Sequence, residues 1–328
     1  MKNNIRIGVI GVGHLGQHHA KHYTKIASAE LVGVYDTDGK QCDKIAKKHN
    51  TKACKSLDEM LRSVDGVSIV TPTKDHAKIA ETCIKQGKHV FIEKPISKTV
   101  EEAERLIVLA KEKKVTLQVG HIERFNPALG PLKDYRIKPK YIEVQRLAPY
   151  MIRGTDIPVV LDLMIHDIDL VLSFIDSPVK KIEASGVSIM TSSVDIANAR
   201  IHFENGSVAN ITSSRVAKDK VRKIKLFQQN LYITIDFLVG LTEVYRVVDS
   251  EKQESSDIIS APIDLEGTQK HIVYEKPNII KNDALQMELI NFIESIQGAA
   301  TPTVGGLAGK EALKVALQIQ NKILEGLK

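Results

Sequence analysis

Cysteine is scarce in this 328-residue chain: Cys42, Cys54 and Cys83 are an odd number, with no C-x-x-C pair. That pattern excludes a disulfide framework and a cysteine-rich zinc site, and it leaves free thiols. Aromatic residues are only 5% of the chain and tryptophan is absent. No basic strand is interleaved with aromatic rings, and no nucleic-acid recognition motif or zinc finger is found, so nucleic acid is not the expected partner. Long apolar runs are missing because charge breaks each of them, and no segment reads as a membrane span. Internal repeats and low-complexity tracts are also missing. The composition excludes collagen, coiled-coil and disordered classes.

What is present is an ordinary globular mixture, 43% apolar and 26% charged. Its length suits two domains that each bury a core. The net charge of +6, from 46 basic and 40 acidic residues, suits anionic small molecules as well as nucleic acid. Met1-Lys2-Asn3-Asn4 followed by an apolar stretch has the look of a secretory leader, but Arg6 interrupts it and a glycine loop follows. The expected compartment is the cytoplasm.

The first third alternates strand and helix signals. Apolar runs at Ile5–Ile10, Leu31–Tyr35, Gly66–Val70, His89–Ile92 and Thr116–Val119 are separated by helical patterns near 14–26, 38–49, 75–86 and 99–113. Repeated β-α units predict a doubly wound parallel sheet with right-handed crossovers. After about residue 121 the pattern changes. One helical segment, Val159–Ser173, precedes strand candidates at 181–187, 197–202, 208–214, 223–228, 231–236 and 242–248. That spacing predicts a large, mainly antiparallel open sheet in an α/β domain. Residues 250–282 read as polar loop with one strand candidate at His271–Tyr274. Two helices close the chain, the first with a capping box from Asp283 to Gln286, the last over about 310–327. The expected domains are 1–121 and 122–328.

Gly11-Val12-Gly13-His14-Leu15-Gly16 follows a strand and opens a helix, and Asp36 stands 20 residues further on at the end of the second strand. This is the dinucleotide fingerprint of a Rossmann βαβ unit. Gly11 permits the tight turn, Gly13 admits a pyrophosphate to the backbone, and Gly16 lets helix and strand pack closely. Asp36 is placed to accept hydrogen bonds from ribose hydroxyls. A carboxylate there repels a 2′-phosphate, so NAD is expected in preference to NADP. Asp38 adds to the repulsion and Lys40 weakens it.

His14, His18 and His22 recur every four residues on the first helix, a spacing that suits a metal, but no carboxylate or cysteine joins them. No metal is expected. Glu93-Lys94-Pro95 closes a strand at the carboxyl edge of the sheet, where doubly wound folds bind ligands. The same tripeptide at 275–277 lies in the polar segment and reads as solvated. Asp162 and His166 stand four residues apart on a helix, so a carboxylate can orient an imidazole suited to taking a hydroxyl proton. Taken alone, the pair reads as a solvated stripe with Asp167 and Asp169. Beside a nicotinamide site it reads as catalytic.

These residues resemble the Gfo/Idh/MocA oxidoreductase family over nearly the whole chain. The resemblance rests on the glycine motif, Thr71-Pro72 with His76, Glu93-Lys94-Pro95, Arg124-Phe125-Asn126-Pro127, Asp162-x-x-x-His166 and the closing Glu288–Phe292 with Pro302. It implies a Rossmann domain, then an α/β domain whose open sheet forms homodimers or homotetramers. It implies cofactor contacts from Gly11 through Gly16, Asp36, Thr71, Pro72, Thr73, His76, Glu93 and Lys94. It further implies Lys94, Asp162 and His166 as catalytic, and Arg124 and Arg153 beside them for substrate. Lys94 or His166 is then the base. Many members carry Gly-Gly shortly before that Asp, where this chain has Asp156-Ile157-Pro158-Val159-Val160.

Gly120–Pro127, Asp162–Asp169 and Arg222–Gln228 resemble more narrowly a subgroup acting on nucleotide-activated amino sugars, in lipid A or surface-polysaccharide synthesis. The implied reaction is NAD-dependent oxidation of the 3-hydroxyl of a UDP-N-acetyl amino sugar to a ketone. Arg146, Arg153, Arg215, Lys218, Lys220, Arg222, Lys223 and Lys225 supply positive charge suited to a diphosphate, or else line a solvated sheet edge. An inositol or polyol dehydrogenase, a sugar reductase, and a non-catalytic sensor are the competing expectations.

Overall fold

The computed structural model describes residues 4–151, 157–249, 259–265 and 268–327. The chain forms two compact units, Met1–Phe125 with Asn282–Lys314, and Asn126–Lys281 with Val315–Lys328.

The first unit begins β1 (Ile5–Ile10), α1 (Gly16–Tyr23), β2 (Ala29–Tyr35), α2 (Gly39–Lys48), β3 (Lys52–Ala53), α3 (Leu57–Leu61) and β4 (Gly66–Ile69). It continues α4 (Thr73–Lys85), β5 (His89–Glu93), α5 (Val100–Lys113) and β6 (Leu117–Gly120). The six strands lie in the order β3-β2-β1-β4-β5-β6, every pair parallel. The order reverses between β1 and β4, which makes their carboxyl ends the switch point where such sheets bind ligands. All residues of β4 and β6 are buried, as a sheet covered on both faces requires. Helix starts are fixed locally. Asp38 accepts from the backbone N–H of Lys40 and Gln41, Ser56 caps α3, and Thr99 with Glu102 forms a reciprocal capping box.

In the second unit, 3₁₀ turns at Pro127–Asp134 lead to β7 (Tyr141–Leu147). A π-helical turn, Val160–Met164, runs into α6 (Ile165–Phe174). Then come β8 (Val179–Val187), β9 (Ile196–Phe203), β10 (Val208–Ser214), β11 (Val221–Gln228), β12 (Leu231–Asp236), β13 (Leu241–Asp249), β14 (Ile259–Leu265) and β15 (Thr268–Glu275). Among the described residues they form one sheet in the order β14-β15-β13-β12-β11-β7-β10-β9-β8. Only β7 and β10 pair in parallel. The sequence reading has no strand at β7 or β14, while its candidate at His271–Tyr274 falls within β15. One face is apolar and covered, with Ile224, Leu226, Ile233, Ile235 and Val244 at 0–2% exposure. The other face carries half-buried aromatic rings.

The chain then returns to the first unit. In α7 (Ala284–Ile296), capped by Asp283 at 3.1 Å from the Gln286 nitrogen, Leu289, Phe292 and Ile293 join a core with Ile7, Val9, Tyr23 and Phe91. Phe91 meets Phe292 edge-on at 5.8 Å, and the Gln118 amide donates to the Glu288 carbonyl at 3.0 Å. Helix α8 (Gly306–Gly326) counts with the first unit as far as Lys314 and with the second from Val315. The compact units therefore differ from the expected break at 121/122. An amphipathic helix announces that it has a partner, not which one.

The three cysteines are buried and unpaired with one another, and burial pushes Cys83 up to about 12. Burial also holds His22, His49, His76 and His89 below the ordinary imidazole value of 6.5, although Asp283 offsets part of this at His22. The unfolded chain takes up these protons from about pH 6.5 downward, while the folded chain resists them. Their contribution to stability is complete above that value and declines as pH falls through the lower folded values. Urea denaturation is expected to show a lower midpoint at pH 5.5 than at pH 7.5. Equal midpoints would contradict this account.

Candidate active site

The glycine turn is shaped by close approach. Gly11 has φ +84°, in the left-handed region. A Cβ on Gly16 would lie 1.8 Å from the Gly11 carbonyl oxygen, so only glycine lets α1 start flush against the end of β1. A Cβ on Gly13 would meet nothing within 4 Å, so this backbone opens to a ligand. Among the described residues no side chain caps α1, and its first turn holds no acid. Backbone N–H groups and the positive end of the helix are left for an anion. His14 and Leu15 are exposed at the turn, with the His14 ring 5.9 Å from that of His18.

Asp36 has a structural duty besides the expected one. Its Oδ2 accepts from the Val12 N–H at 2.7 Å and its Oδ1 from the Asp38 N–H at 2.9 Å. The Val12 carbonyl accepts from the Gln41 amide at 2.8 Å, so the turn is pinned on both sides. Gln41 was not anticipated; its place in the first turn of the following helix was the available signal. A carboxylate has about four acceptor positions, so Asp36 keeps capacity for ribose hydroxyls. Across the switch point, the Thr71 hydroxyl is buried without a hydrogen-bond partner among the described residues. Pro72 and Thr73 open α4. An open glycine backbone, an uncapped helix start, an acid at the end of β2 and an orphaned hydroxyl at the end of β4 together fit a dinucleotide.

The end of β5 is held by hydrogen bonds on both sides. His19, 1% exposed on α1, lies with Nε2 3.0 Å from Glu93 Oε1. Glu93 Oε2 accepts from the Lys94 N–H at 3.2 Å. A Cβ on Gly120 would stand 3.0 Å from this carboxylate, so Gly120 makes its room. Burial alone would raise Glu93. The hydrogen bond and charge of His19, with the charge and N–H of Lys94, outweigh burial and hold it below the usual range. Lys94 is half-buried, and the Lys94–Pro95 bond is cis. His76 is 1% exposed with Nδ1 2.9 Å from the Pro95 carbonyl and Nε2 2.8 Å from the Thr71 carbonyl. Its ring nitrogens are thus directed at the protein. Arg124 lies in a 3₁₀ turn of the same unit and donates to the Thr303 carbonyl at 3.5 Å.

In the second unit, Asp162 sits in the π-helical turn and His166 in the first turn of α6. Ile165 N–H reaches the Val160 carbonyl five residues back. Four residues are about one turn in either helix type, so both half-buried side chains share a face. The adjacent Asp167 points inward. It is 1% exposed and forms a two-pronged bond with Arg146 of β7, Nε to Oδ2 and an Nη to Oδ1, each 2.8 Å. Asp195 anchors the approach to the π turn. It accepts from the N–H groups of Ile189, Met190 and Thr191, and its carboxyl is held at about 2 by these bonds despite opposing burial. Arg215, 3.8 Å from Asp195, donates to the Ile157 carbonyl.

Several expected ligand residues are therefore otherwise engaged. Arg146 and Arg215 are buried in pairs, while Lys223 and Lys225 meet Asp236 and Glu143 at 3.2 Å each. Lys218 and Lys220 remain exposed. Arg153 lies outside the described residues. The second Glu-Lys-Pro is not simply solvated: Glu275 ends β15, accepts from the Tyr135 hydroxyl at 2.5 Å, and pairs with Arg246. Among the described residues, no cluster of three or more potential metal ligands occurs.

A parallel sheet with this glycine turn and acid at its switch point defines a dinucleotide-binding protein of the Rossmann class. The chain belongs to the Gfo/Idh/MocA oxidoreductase family. Residues 5–121 match the model described as oxidoreductase family, NAD-binding Rossmann fold, and residues 150–234 match the GFO/IDH/MocA C-terminal domain. The chain is 36% identical to UDP-N-acetylglucosamine 3-dehydrogenase of Acidithiobacillus ferrooxidans, covering 97% of this chain and 96% of that one. A solved structure of that enzyme superposes with a TM-score of 0.89, covering 99% of each chain at 35% identity. The NAD(+)-dependent scyllo-inositol 2-dehydrogenase of Bacillus subtilis is 26% identical over all of this chain and 96% of its own. The protein is an oxidoreductase with an NAD-binding domain, and no helix among the described residues is long and apolar enough to cross a membrane.

Asp36 carries the expected preference within that class. NAD is expected to bind at least about tenfold tighter than NADP, from like-charge repulsion at close range. Asp36→Ser should narrow the gap and loosen NAD as well. Fluorescence titration with both dinucleotides checks this, and tighter NADP binding by the native protein would refute it.

Proposed function

We propose that the protein oxidises the 3-hydroxyl of a UDP-N-acetyl amino sugar to a ketone, feeding lipid A or surface-polysaccharide synthesis. The observation that carries this reading is the 36% identity, spread over 97% of the chain, to an enzyme named for that reaction on UDP-N-acetylglucosamine. A merely shared fold would not require it, since inositol dehydrogenases share the fold at 26% identity.

Oxidation of a secondary alcohol removes a hydride from carbon and a proton from oxygen. NAD, when bound, accepts the hydride. His166 takes the hydroxyl proton, and Asp162, one turn away, orients its ring. The Lys94 ammonium hydrogen-bonds the same oxygen and stabilises the negative charge that develops as the proton leaves. The glycine turn, Asp36, Thr71 and Thr73 bind the dinucleotide. Arg124 and Arg153 serve the substrate, and the exposed Lys218 and Lys220 supply positive charge toward a diphosphate.

The active form in this reading is a homodimer or homotetramer joined through the open sheet face. Tyr141, Phe227, Tyr232, Tyr245 and Tyr274 form a continuous row across five strands there, with successive rings 4.7–5.6 Å apart. Aromatic rows of this kind are frequent at buried interfaces.

The test mixes purified protein with NAD and UDP-N-acetylglucosamine, in parallel with free N-acetylglucosamine, glucose and inositol. Hydrazine traps the ketone, and absorbance follows NADH. NADH from the UDP-sugar alone is expected; NADH from inositol alone would select a polyol dehydrogenase instead. Lys94→Met and His166→Ala should each lower turnover by roughly 10²–10⁴-fold, the usual worth of acid–base assistance, with NAD affinity little changed. Near-native turnover in either variant removes that residue from the mechanism. Light scattering should report a dimer or tetramer, and Tyr232→Asp with Tyr245→Asp should reduce it to single chains. A native protein that is already monomeric would end the oligomer reading.

A further inference from the structure

Lys94 is a flexible side chain on a turn, yet its role in the proposed reaction demands a fixed ammonium. Its two chain neighbours are both held by buried histidines. On one side, His19 fastens the Glu93 carboxylate at 3.0 Å, and Glu93 in turn accepts from the Lys94 N–H at 3.2 Å. On the other side, His76 lies between the Pro95 and Thr71 carbonyls at 2.9 and 2.8 Å. Both rings are 1% exposed, so solvent does not substitute for these bonds. Neither histidine has an evident duty of its own toward the dinucleotide.

We propose that His19 and His76 are positioning residues that fix Lys94 through Glu93 and Pro95. The two bonds are of different kinds. An ionised carboxylate only accepts, so His19 Nε2 carries a hydrogen and makes a charge-assisted bond. That bond orients Glu93, leaving its second oxygen toward the Lys94 backbone and its negative charge beside the Lys94 ammonium. His76 lies between the end of β4 and the turn after β5, since Thr71 and Pro95 follow those strands, and the neutral ring that burial favours donates its one N–H to one of the two carbonyls. Thr71 carries the orphaned hydroxyl of the cofactor cleft. The ring thus packs between the cofactor-side loop and the lysine turn and spaces them, with one hydrogen bond to hold it. His19 and His76 also explain two histidines that the sequence offered for other roles, His19 beside a metal-like series and His76 as a cofactor contact.

This inference rests on the catalytic assignment of Lys94, and its test separates the two. Lysines are dimethylated with ¹³C-formaldehyde, and the Lys94 signal is assigned by its loss in Lys94→Arg. The spectra are recorded without NAD or sugar, so they do not depend on catalysis. His19→Leu and His76→Leu are expected to displace the Lys94 signal and leave most other lysine signals in place. They should lower kcat with UDP-N-acetylglucosamine by about 10- to 100-fold, with KM changed by less than about threefold, as loss of a bond to a charged group implies. His19→Gln, which keeps an N–H donor toward Glu93, should restore both signal and kcat. Should His19→Leu fail to fold, Glu93→Gln interrupts the same path at nearly constant shape and should displace the signal equally. An unmoved Lys94 signal in the folded variants overturns the proposal. Native turnover by Lys94→Met would instead overturn the catalytic assignment, while the signal still judges the positioning.

Discussion

The approach of α1 to the end of β1 governs the first unit. The carbonyl oxygen of Gly11 occupies the place where any side chain at position 16 would begin. Because the helix starts there and nowhere else, His19 comes round less than one turn later on its inner face, and Tyr23 one turn after that, where its hydroxyl meets Ser68 at 2.7 Å. The same short contact that leaves the helix N-terminus open to an anion thus fixes the ring that reaches Glu93. Cofactor binding and lysine placement share a single backbone constraint.

The second unit solves the corresponding problem with charge. The helix that carries His166 begins with a π turn, a rarer form than the α-helix. The Arg146–Asp167 fork ties the first turn of α6 to the central strand β7, beside His166. Losing one partner of such a buried pair typically costs about 3–5 kcal/mol, because the other charge is left stranded. Asp195 holds the turn at Ile189–Thr191, and Arg215 beside it reaches the Ile157 carbonyl. Both pairs are buried, and the first stands one residue from His166.

Much of this was legible in the chain itself. The βα alternation, the glycine turn, Asp36 and the Asp162–His166 spacing are local patterns, and local patterns survive in sequence. What was not legible depended on partners far away. Strand β7 alternates Ile142 and Val144 with polar residues but ends its buried face on Arg146, a charge that reads as solvent-facing until Asp167 is known. Arg215 misled in the same way. The basic residues of the second unit looked like a diphosphate site because sequence shows charge and hides pairing. Glu275 looked solvated because its partners, Tyr135 and Arg246, come from other elements. The π turn has no composition of its own; Val160–Met164 reads as ordinary helix.

The path of the chain has a consequence for how the protein is made. The first unit opens at β1 but takes Phe292 and Ile293 of its core from after the second unit's sheet, and the second unit in turn takes its closing segment, from Val315, from after the first. On the ribosome, the parallel sheet emerges early, but Ile7, Tyr23 and Phe91 wait for α7 until more than 280 residues have been synthesised. Domains usually fold as units as they emerge. Here neither unit is complete until the final helix has emerged, and the nascent cofactor domain carries an uncovered apolar seam until then, a stretch of synthesis in which chaperones have something to hold.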